Sequence, residues 1–323
     1  MIKTENITKN FGGGRGILGL DLEIEQNTIF GFVGPNGSGK TTTIKILCGL
    51  IIADEGRAWI DGMEVKGSNH IKIKKTIGYL PDEFGVYQQM SVWEYLDFFG
   101  AAYKIAPKPR KKRIEEVLEV TDASHMMDYQ VSSLSRGMHQ KIGIAKTMLH
   151  DPKILILDEP ANGLDPHARI DMRNTILRLK DMGKTIMLSS HILPELGAIC
   201  DTVGIIEKGK LLIQGTVQDI TRSLQQNIVL ELNLDSDPEE AKAALDEFEN
   251  IQKIEITGKH ELRIDYLGKR NEIADITSHL VNKSVRVISI RESEIDLENV
   301  FLTVTGKSGS ENRGTAAKPV EAE

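Results

Sequence analysis

At positions 34–41 the chain reads Gly34-Pro35-Asn36-Gly37-Ser38-Gly39-Lys40-Thr41, which matches the G-x-x-x-x-G-K-[ST] pattern of a phosphate-binding loop. The apolar stretch 28–33 before it predicts a strand, and a helix is expected to begin near Thr41. A glycine-rich turn without a ligand is the alternative, and this strand and helix disfavour it. We interpret the run, together with Thr42, as a triphosphate site in which Lys40 contacts the β- and γ-phosphates and the Thr41 hydroxyl ligates Mg²⁺.

Two carboxylates form a second group of candidate residues. The run 153–157 is apolar without alternation, which predicts a parallel strand covered on both faces and central in its sheet. Asp158 and Glu159 follow it directly, at the edge where open α/β sheets bind their ligands. Asp158 is suited to hold Mg²⁺, and Glu159 is suited to accept a proton from the attacking water. A solvated strand end is the alternative.

The first part of the chain, 1–221, alternates short apolar runs with glycine turns and amphipathic stretches. This rhythm predicts an α/β domain with a mixed central sheet. The expected strands of that sheet are 28–33, 77–80, 154–157, 185–189 and 202–207, with 2–7 and 20–24 forming an antiparallel β piece beside it. Helical periodicity over about 84–150 predicts a helical subdomain.

Residues 222–305 predict a second, small α+β domain. The pattern is strand, helix, strand, strand, helix, strand over 227–234, 238–248, 251–256, 261–266, 271–281 and 284–290. That order is typical of a ferredoxin-like arrangement. Residues 306–323 are polar, and we expect a disordered tail there.

Composition and charge exclude several other classes of protein. With 323 residues, 40% hydrophobic and 27% charged, the chain has a globular composition and a length for about two domains. It lacks an apolar stretch near the roughly 18 to 20 residues that cross a bilayer, so we expect a soluble protein. Cys48 and Cys200 lie outside any CxxC motif, which argues against disulfides and structural zinc and favours the cytoplasm. The net charge of -7 provides no attraction to nucleic acid, and no nucleic-acid partner is expected.

Two further stretches complete a set of motifs. Leu134-Ser135-Arg136-Gly137-Met138-His139-Gln140-Lys141 lies between the loop and the carboxylates, and Asn162-Gly163-Leu164-Asp165-Pro166 follows them. With these motifs the chain resembles an ATP-binding-cassette (ABC) transporter ATPase over about residues 2–220. The resemblance implies a P-loop NTPase cassette that hydrolyses ATP, with ATP and Mg²⁺ as cofactors.

The resemblance also implies a homodimer. Ser135 and Gly137 match the family's signature stretch LSGGQ, which contacts the γ-phosphate bound by the other copy. A turn that opens a helix at Met138 can present N–H groups to a phosphate. Arg136, Met138 and His139 depart from the commonest form of the stretch. Arg136 either disturbs that contact or adds a charge to it.

Three more residues carry roles by their match to the family. Phe11 stands where an aromatic stacks on adenine, His191 matches the switch histidine that reaches the γ-phosphate, and Asp165 matches the loop that crosses the dimer interface. Taken alone, Phe11 and His191 would more often be ordinary core or surface residues. Asp165 alone would be a helix cap before Pro166.

Asp82 departs from the family pattern. Most members carry a glutamine there, which contacts Mg²⁺ and the attacking water. An aspartate can ligate Mg²⁺, but it cannot donate an N–H, and it adds negative charge beside Asp158, Glu159 and a triphosphate. We therefore expect nucleotide binding to survive and the timing of hydrolysis to be the property that changes.

A crowd of aromatic residues marks a candidate partner surface. The aromatics between 84 and 103 are Phe84, Tyr87, Trp93, Tyr95, Phe98, Phe99 and Tyr103. In the resembled family this region forms a groove for a short helix of the membrane-spanning subunit, and we expect Tyr87, Tyr95 and Phe98 to be exposed. The core of the helical subdomain is the alternative. The basic run 108–113 is interpreted as a solvated helix start, with lipid headgroups or nucleic acid as alternative contacts.

These observations favour the ATP-hydrolysing subunit of an ABC transporter, held on the cytoplasmic face of the membrane by a separate multi-span permease subunit. ATP-dependent homodimer closure would drive transport. The C-terminal domain and the stretch Leu297-Glu298-Asn299-Val300-Phe301 resemble those of subunits paired with exporters. One alternative is a soluble cassette ATPase that acts on ribosomes or nucleic acid, and another is a nucleotide-binding structural protein without turnover. The single cassette and the acidic balance disfavour the former, and Glu159 disfavours the latter.

Overall fold

A computed structural model describes residues 1–85, 87, 89–192, 196–224, 228–246, 248 and 250–292, with the side chains of 221–224 and 270 left aside. The chain forms two compact units, and the second begins at Gln218. This boundary lies four residues before the 221/222 division suggested by the sequence pattern. No helix in the described part of the chain is both long enough and apolar enough to span a membrane.

The first unit contains ten strands and six α-helices within the described residues. Its strands are β1 (Ile2–Asn10), β2 (Gly16–Ile24), β3 (Ile29–Val33), β4 (Glu55–Ile60), β5 (Met63–Glu64), β6 (Ile77–Leu80), β7 (Ile154–Leu157), β8 (Thr185–Ser190), β9 (Thr202–Glu207) and β10 (Lys210–Thr216). Its helices are α1 (Lys40–Leu47), α2 (His70–Thr76), α3 (Val92–Ala102), α4 (Pro107–Val120), α5 (Arg136–Met148) and α6 (Pro166–Asp181).

The larger sheet has the strand order β10-β9-β3-β8-β7-β6. Every neighbouring pair is parallel except β9 and β10, so the sheet is mixed, as predicted. The expectation that β7 is central was wrong, because β3 and β8 hold the middle and β7 lies next to the edge strand β6. All four residues of β7 are nevertheless buried. Its unbroken apolar run therefore reflects covered faces rather than a central position.

The smaller sheet packs apolar side chains into the same core as the larger one. Its order is β2-β1-β4-β5, and all neighbouring pairs are antiparallel. Ile2, Ile7 and Ile24 are buried with Phe30 and Phe32 of β3 in one cluster. The predicted antiparallel piece is thus confirmed, and its strands are longer than the sequence indicated. This packing holds the loop between β1 and β2 close to the start of α1.

The predicted helical subdomain is formed by α3, α4 and α5. Ser91 and Glu94 make reciprocal hydrogen bonds that cap α3, which stabilises the helix start. Val92, Tyr95 and Leu96 are fully buried on one face of this helix. The predicted exposure of Tyr95 was therefore wrong, because its position three residues after Val92 places it on the same inward face.

The other two candidates for a partner surface are exposed. Tyr87 is 51% exposed and Phe98 is 43% exposed. Their rings meet edge to face with centroids 5.2 Å apart, a favourable geometry for an aromatic pair. The two side chains form an aromatic edge on the surface of the helical subdomain.

The basic run at the start of α4 is less solvated than predicted. Arg110 donates to Asp97 at 2.6 Å and to the carbonyl oxygen of Ile105 at 2.9 Å. Arg113 donates to the carbonyl oxygens of Met148 (2.6 Å) and Leu149 (3.2 Å) at the end of α5. These two arginines therefore join elements of the subdomain.

The second unit has the predicted order of elements. Its strands are β11 (Ile228–Leu234), β12 (Ile251–Gly258), β13 (Glu261–Tyr266) and β14 (Val287–Glu292), and its helices after α7 (Val217–Leu224) are α8 (Pro238–Leu245) and α9 (Ile273–Asn282). The sheet order β12-β13-β11-β14 is antiparallel throughout, which is the ferredoxin-like topology. The stretch 297–301 and the expected tail lie outside the described residues.

Candidate nucleotide-binding site

The loop between β3 and α1 requires glycine at two positions. A Cβ on Gly34 would lie 2.3 Å from the carbonyl oxygen of Ile206 and 2.6 Å from Ser38 Oγ. Gly39 has φ 113° and caps the start of α1, in a backbone region that side chains disfavour. The loop therefore lies close against β9. The predicted helix start near Thr41 is confirmed, because α1 begins at Lys40.

A pocket of about 320 Å³ lies beside this loop. Its lining residues are Phe11, Arg15, Gly16, Asn36, Gly37, Ser38, Gly39, Lys40, Thr41, Thr42, Asp82 and Glu159. Ten of these twelve residues were site candidates from the sequence, and Arg15 and Gly16 are added by the fold. Arg15 was missed, although a cation in a glycine-rich loop close after an aromatic is a signal for a phosphate contact.

Lys40 is the ammonium of this pocket. Its side chain is only 5% exposed and lies 3.2 Å from Glu159 Oε1. Lys40 Nζ donates to the carbonyl oxygens of Gly34 at 2.6 Å and Pro35 at 3.4 Å. The first two residues of the loop therefore hold the lysine rather than line the pocket. This arrangement presents a desolvated positive charge to whatever anion enters.

Ser38 and Glu159 have buried oxygens that are available to a ligand. Ser38 Oγ and Glu159 Oε1 are buried without a hydrogen-bond partner, so Lys40 and Glu159 interact by charge rather than by a directed hydrogen bond. Buried polar atoms are usually paired. Two unpaired oxygens beside one pocket indicate a polar ligand.

Glu159 is held from two sides. Its backbone has φ 51°, a left-handed conformation that is uncommon for a residue with a side chain. Its N–H donates to Ser189 Oγ at 2.9 Å, and His191 Nδ1 lies 2.9 Å from Glu159 Oε2. The side chain is 12% exposed. The ends of β7 and β8 therefore bring the predicted base and the predicted switch histidine into direct contact.

Asp158 lies behind Thr41 at the same strand edge. Ser189 Oγ donates to Asp158 Oδ1 at 2.6 Å. Burial raises the pKa of Asp158 above its usual range, and the nearby charges of Glu159 and Asp82 add to this, while hydrogen bonds from Ser189 and Thr41 oppose it. A cation beside this carboxylate would relieve the same penalty.

The donor atoms here suit Mg²⁺. The Thr41 hydroxyl is hydrogen-bonded to Asp158, and Asp82 lines the same pocket. Mg²⁺ prefers oxygen ligands and is usually bound by one or two carboxylates together with substrate phosphates. Among the described residues no group of three or more His, Cys, Asp or Glu side chains could hold a metal ion. Thr41, Asp158 and Asp82 offer oxygen atoms of the kind that ligate Mg²⁺ together with phosphates.

The remaining predicted site residues lie outside this pocket's lining. Ser135 caps α5 and its Oγ accepts from the N–H of Met138 at 3.3 Å. A Cβ on Gly137 would lie 2.9 Å from the Cβ of Ala168. Asp165 caps α6 by accepting from the N–H of Ala168 at 3.0 Å. Both helix starts therefore lie side by side, and the chain's own pocket does not include them.

Comparison with known proteins decides the family. A family model described as ABC transporter matches residues 17–162. The linearmycin resistance ATP-binding protein LnrL of Bacillus subtilis (strain 168) is 31% identical over 314 residues, which cover 95% of this chain and 99% of LnrL. The chain belongs to the ABC transporter ATP-binding proteins. This ABC ATPase therefore binds and hydrolyses ATP.

Other relatives support the same assignment. The bacitracin transport ATP-binding protein BcrA of Bacillus licheniformis is 35% identical over 312 residues, which cover 95% of this ABC ATPase and 97% of BcrA. The structure of dimeric MJ0796, a bacterial ABC transporter cassette, matches with a TM-score of 0.60 at 22% identity, covering 67% of this chain and 99% of that one. The cassette fold predicted from the motifs is thus confirmed.

Proposed function

We propose that this ABC ATPase binds two Mg-ATP molecules between two copies of the chain and drives export through a separate membrane-spanning subunit. The observation that carries the proposal is the convergence of Lys40, Asp158 and Glu159 at one strand edge, with His191 against Glu159. A buried ammonium, a candidate metal ligand and a candidate base are the groups that phosphoryl transfer to water requires.

The chemistry can be assigned to individual atoms. Lys40 Nζ, which now contacts loop carbonyl oxygens and Glu159, would bind the β- and γ-phosphates. Glu159 Oε1 lacks a hydrogen-bond partner, so this atom would accept the proton of the attacking water. His191 would hold Oε2 and approach the γ-phosphate. Such a positioned base typically contributes about 10²- to 10⁴-fold to a rate.

The metal and adenine contacts would come from residues that line the pocket and from Asp158, which is hydrogen-bonded to Thr41. Thr41, Asp158 and Asp82 would hold Mg²⁺, which would neutralise charge on the phosphates when bound. Phe11 is 51% exposed and lines the pocket. Such an exposed aromatic face would stack on the adenine ring.

The proposed dimer assigns a role to the residues outside the pocket. Ser135 and Gly137 begin α5, whose first N–H groups would meet the γ-phosphate of the other copy, and Asp165 would lie at the interface. A chain would then hold only half of each site. The dimeric state of MJ0796, which shares the fold, supports this proposal.

The proposed dimer can be tested with a substitution at Ser135 that keeps the cap of α5. Ser135→Asp retains a capping oxygen for Met138, but it adds a negative charge where the phosphate would lie, so hydrolysis should fall at least about 100-fold. Ser135→Asn is the neutral matched control, which should lose less. Mixing Ser135→Asp with Lys40→Ala, each inactive alone, should restore about a quarter of the wild-type ATPase activity, because half of the dimers then have one intact site. A mixture as inactive as its components would contradict the shared site.

A second experiment concerns the membrane partner. The names of LnrL and BcrA refer to resistance and to transport, which supports export at the cytoplasmic face of a membrane. We expect a tagged chain to copurify with a multi-span protein from detergent extracts, and expect Tyr87→Ser with Phe98→Ser to reduce the recovered partner about tenfold, since exposed aromatics anchor interfaces. Tyr129→Ser is the control, an exposed aromatic elsewhere in the subdomain. Cosedimentation with ribosomes and no membrane partner would favour the soluble alternative.

A further inference from the structure

Asp82 lies between the ATP pocket and the start of α5. Asp82 is one of the residues that line the pocket. Asp82 Oδ1 accepts from Asn162 Nδ2 at 3.3 Å and lies 3.9 Å from Arg136 Nη2. Arg136 is the first residue of α5. Two residues that differ from the common family pattern therefore face each other within one chain.

Residues close in sequence to Asp82 and Arg136 make further contacts between the segment after β6 and α5. Gln140 Nε2 donates to the backbone carbonyl of Asp82 at 3.5 Å. The His139 ring stacks on Phe84 with centroids 4.7 Å apart, and Lys146 Nζ lies 4.5 Å from the centre of the Phe84 ring. The segment that contains Asp82 therefore packs against α5, the helix that begins with Arg136.

The carboxylates beside the ATP pocket require nearby cations if a triphosphate is to bind. Asp82, Asp158 and Glu159 bring three carboxylates to a pocket for a highly charged anion. Lys40 lies beside Glu159, and the hydroxyls of Ser189 and Thr41 bind Asp158. Arg136 is the cation that faces Asp82. Without Arg136 the Asp82 carboxylate would repel an incoming triphosphate. Salt would screen this repulsion only in part, because the two charged groups would lie within one pocket.

The guanidinium of Arg136 is placed by the loop after Glu159. A Cβ on Gly163 would lie 2.8 Å from Arg136 Cζ. The planar guanidinium therefore packs against bare backbone, next to the Asn162 side chain that binds the same Asp82 oxygen. Three elements, α5, the segment after β6 and the loop before α6, meet at this carboxylate.

We propose that Arg136 is a positioning residue for Asp82: it offsets the charge of this carboxylate and holds it beside the ATP pocket, so that the two residues act as one unit. The pair is about half exposed, with side-chain exposures of 51% and 40%, so its effect should be modest and salt-dependent. The proposal presupposes ATP binding at the pocket, but neither the dimer nor the membrane partner.

The test is a double-mutant cycle in the full-length chain. Arg136→Gln should raise the Kd for Mg-ATP about two- to fivefold at low salt, with a smaller rise at high salt. In the Asp82→Asn background the same change should alter Kd by less than about 1.5-fold, because no carboxylate remains to be offset. Arg136→Lys should largely preserve the wild-type Kd, since it keeps the charge. Arg57→Gln removes a similarly exposed arginine, paired with Glu5 at 3.5 Å and outside the pocket lining, and should leave Kd unchanged.

Two results would overturn the proposal. An equal rise in Kd with and without Asp82 would mean that Arg136 acts directly on nucleotide, for example on that of a second copy. An unchanged Kd in the otherwise wild-type chain would mean that the pair has no role in binding. If the pocket does not bind ATP at all, the wild-type chain will show no binding. That separate result would also overturn the role proposed for Arg136 and Asp82.

Discussion

Lys40→Ala is expected to abolish nucleotide retention and to reduce ATP hydrolysis at least about 100-fold. The ammonium is 5% exposed, so its charge acts in a poorly solvated place where it is screened little. Its removal would also leave Glu159, which is 12% exposed, facing the incoming phosphates without a cation. Both effects weaken binding of the triphosphate. Equilibrium binding of ATP and phosphate release by the purified chain measure them.

The control for this change lies on the same helix. Lys45 also belongs to α1 but is exposed and does not line the pocket, so Lys45→Ala should retain wild-type binding and hydrolysis. Thermal unfolding of both variants separates a loss of the site from a loss of the fold. Undiminished ATP retention by folded Lys40→Ala would contradict the assignment of the pocket.

Glu159→Gln is expected to separate binding from hydrolysis. Glutamine has nearly the same shape, so Lys40 loses only an ion-pair partner and ATP binding should persist or become tighter. The amide cannot accept the proton of the attacking water, so kcat should fall by about 10²- to 10⁴-fold. Under the proposed mechanism, ATP and Mg²⁺ should then hold two chains together, which gel filtration or light scattering detects.

Glu55→Gln provides the matched change at an exposed carboxylate of β4. It should alter neither kcat nor the oligomeric state. A Glu159→Gln chain that hydrolyses ATP at the wild-type rate would exclude this glutamate as the base. One that binds ATP and Mg²⁺ yet stays monomeric would exclude the ATP-dependent dimer.

Local sequence patterns predicted much of the cassette. Backbone N–H groups, a lysine and a hydroxyl within eight consecutive residues form most of a phosphate site, because the loop itself places them. Asp158 and Glu159 were found for a similar reason, since they end a strand whose apolar run is visible in the sequence. Parallel strands end at one edge of a sheet, so their meeting with Lys40 also followed.

Other features were decided by contacts between distant segments. Tyr95 is buried because it lies on the inward face of α3, whereas Tyr87 and Phe98 are exposed. The number of aromatic residues in this stretch does not distinguish these positions. Arg110 and Arg113 look like solvated charges in sequence, but they bind carbonyl oxygens of neighbouring elements. Arg15 reaches the pocket only because β1 and β2 pack their connecting loop beside α1.

The sequence by itself determined the cassette, the phosphate loop and the two strand-end carboxylates, because each depends on residues that are adjacent in the chain or on strand ends that a parallel sheet must bring together. Only the tertiary structure decided that Asp82 faces Arg136 across 54 positions of sequence, and that β7 and β8 are neighbours, so that His191 contacts Glu159. The first pairing depends on how helices and loops pack in three dimensions, and the second depends on the order of the strands. A single sequence carries no local signal for them.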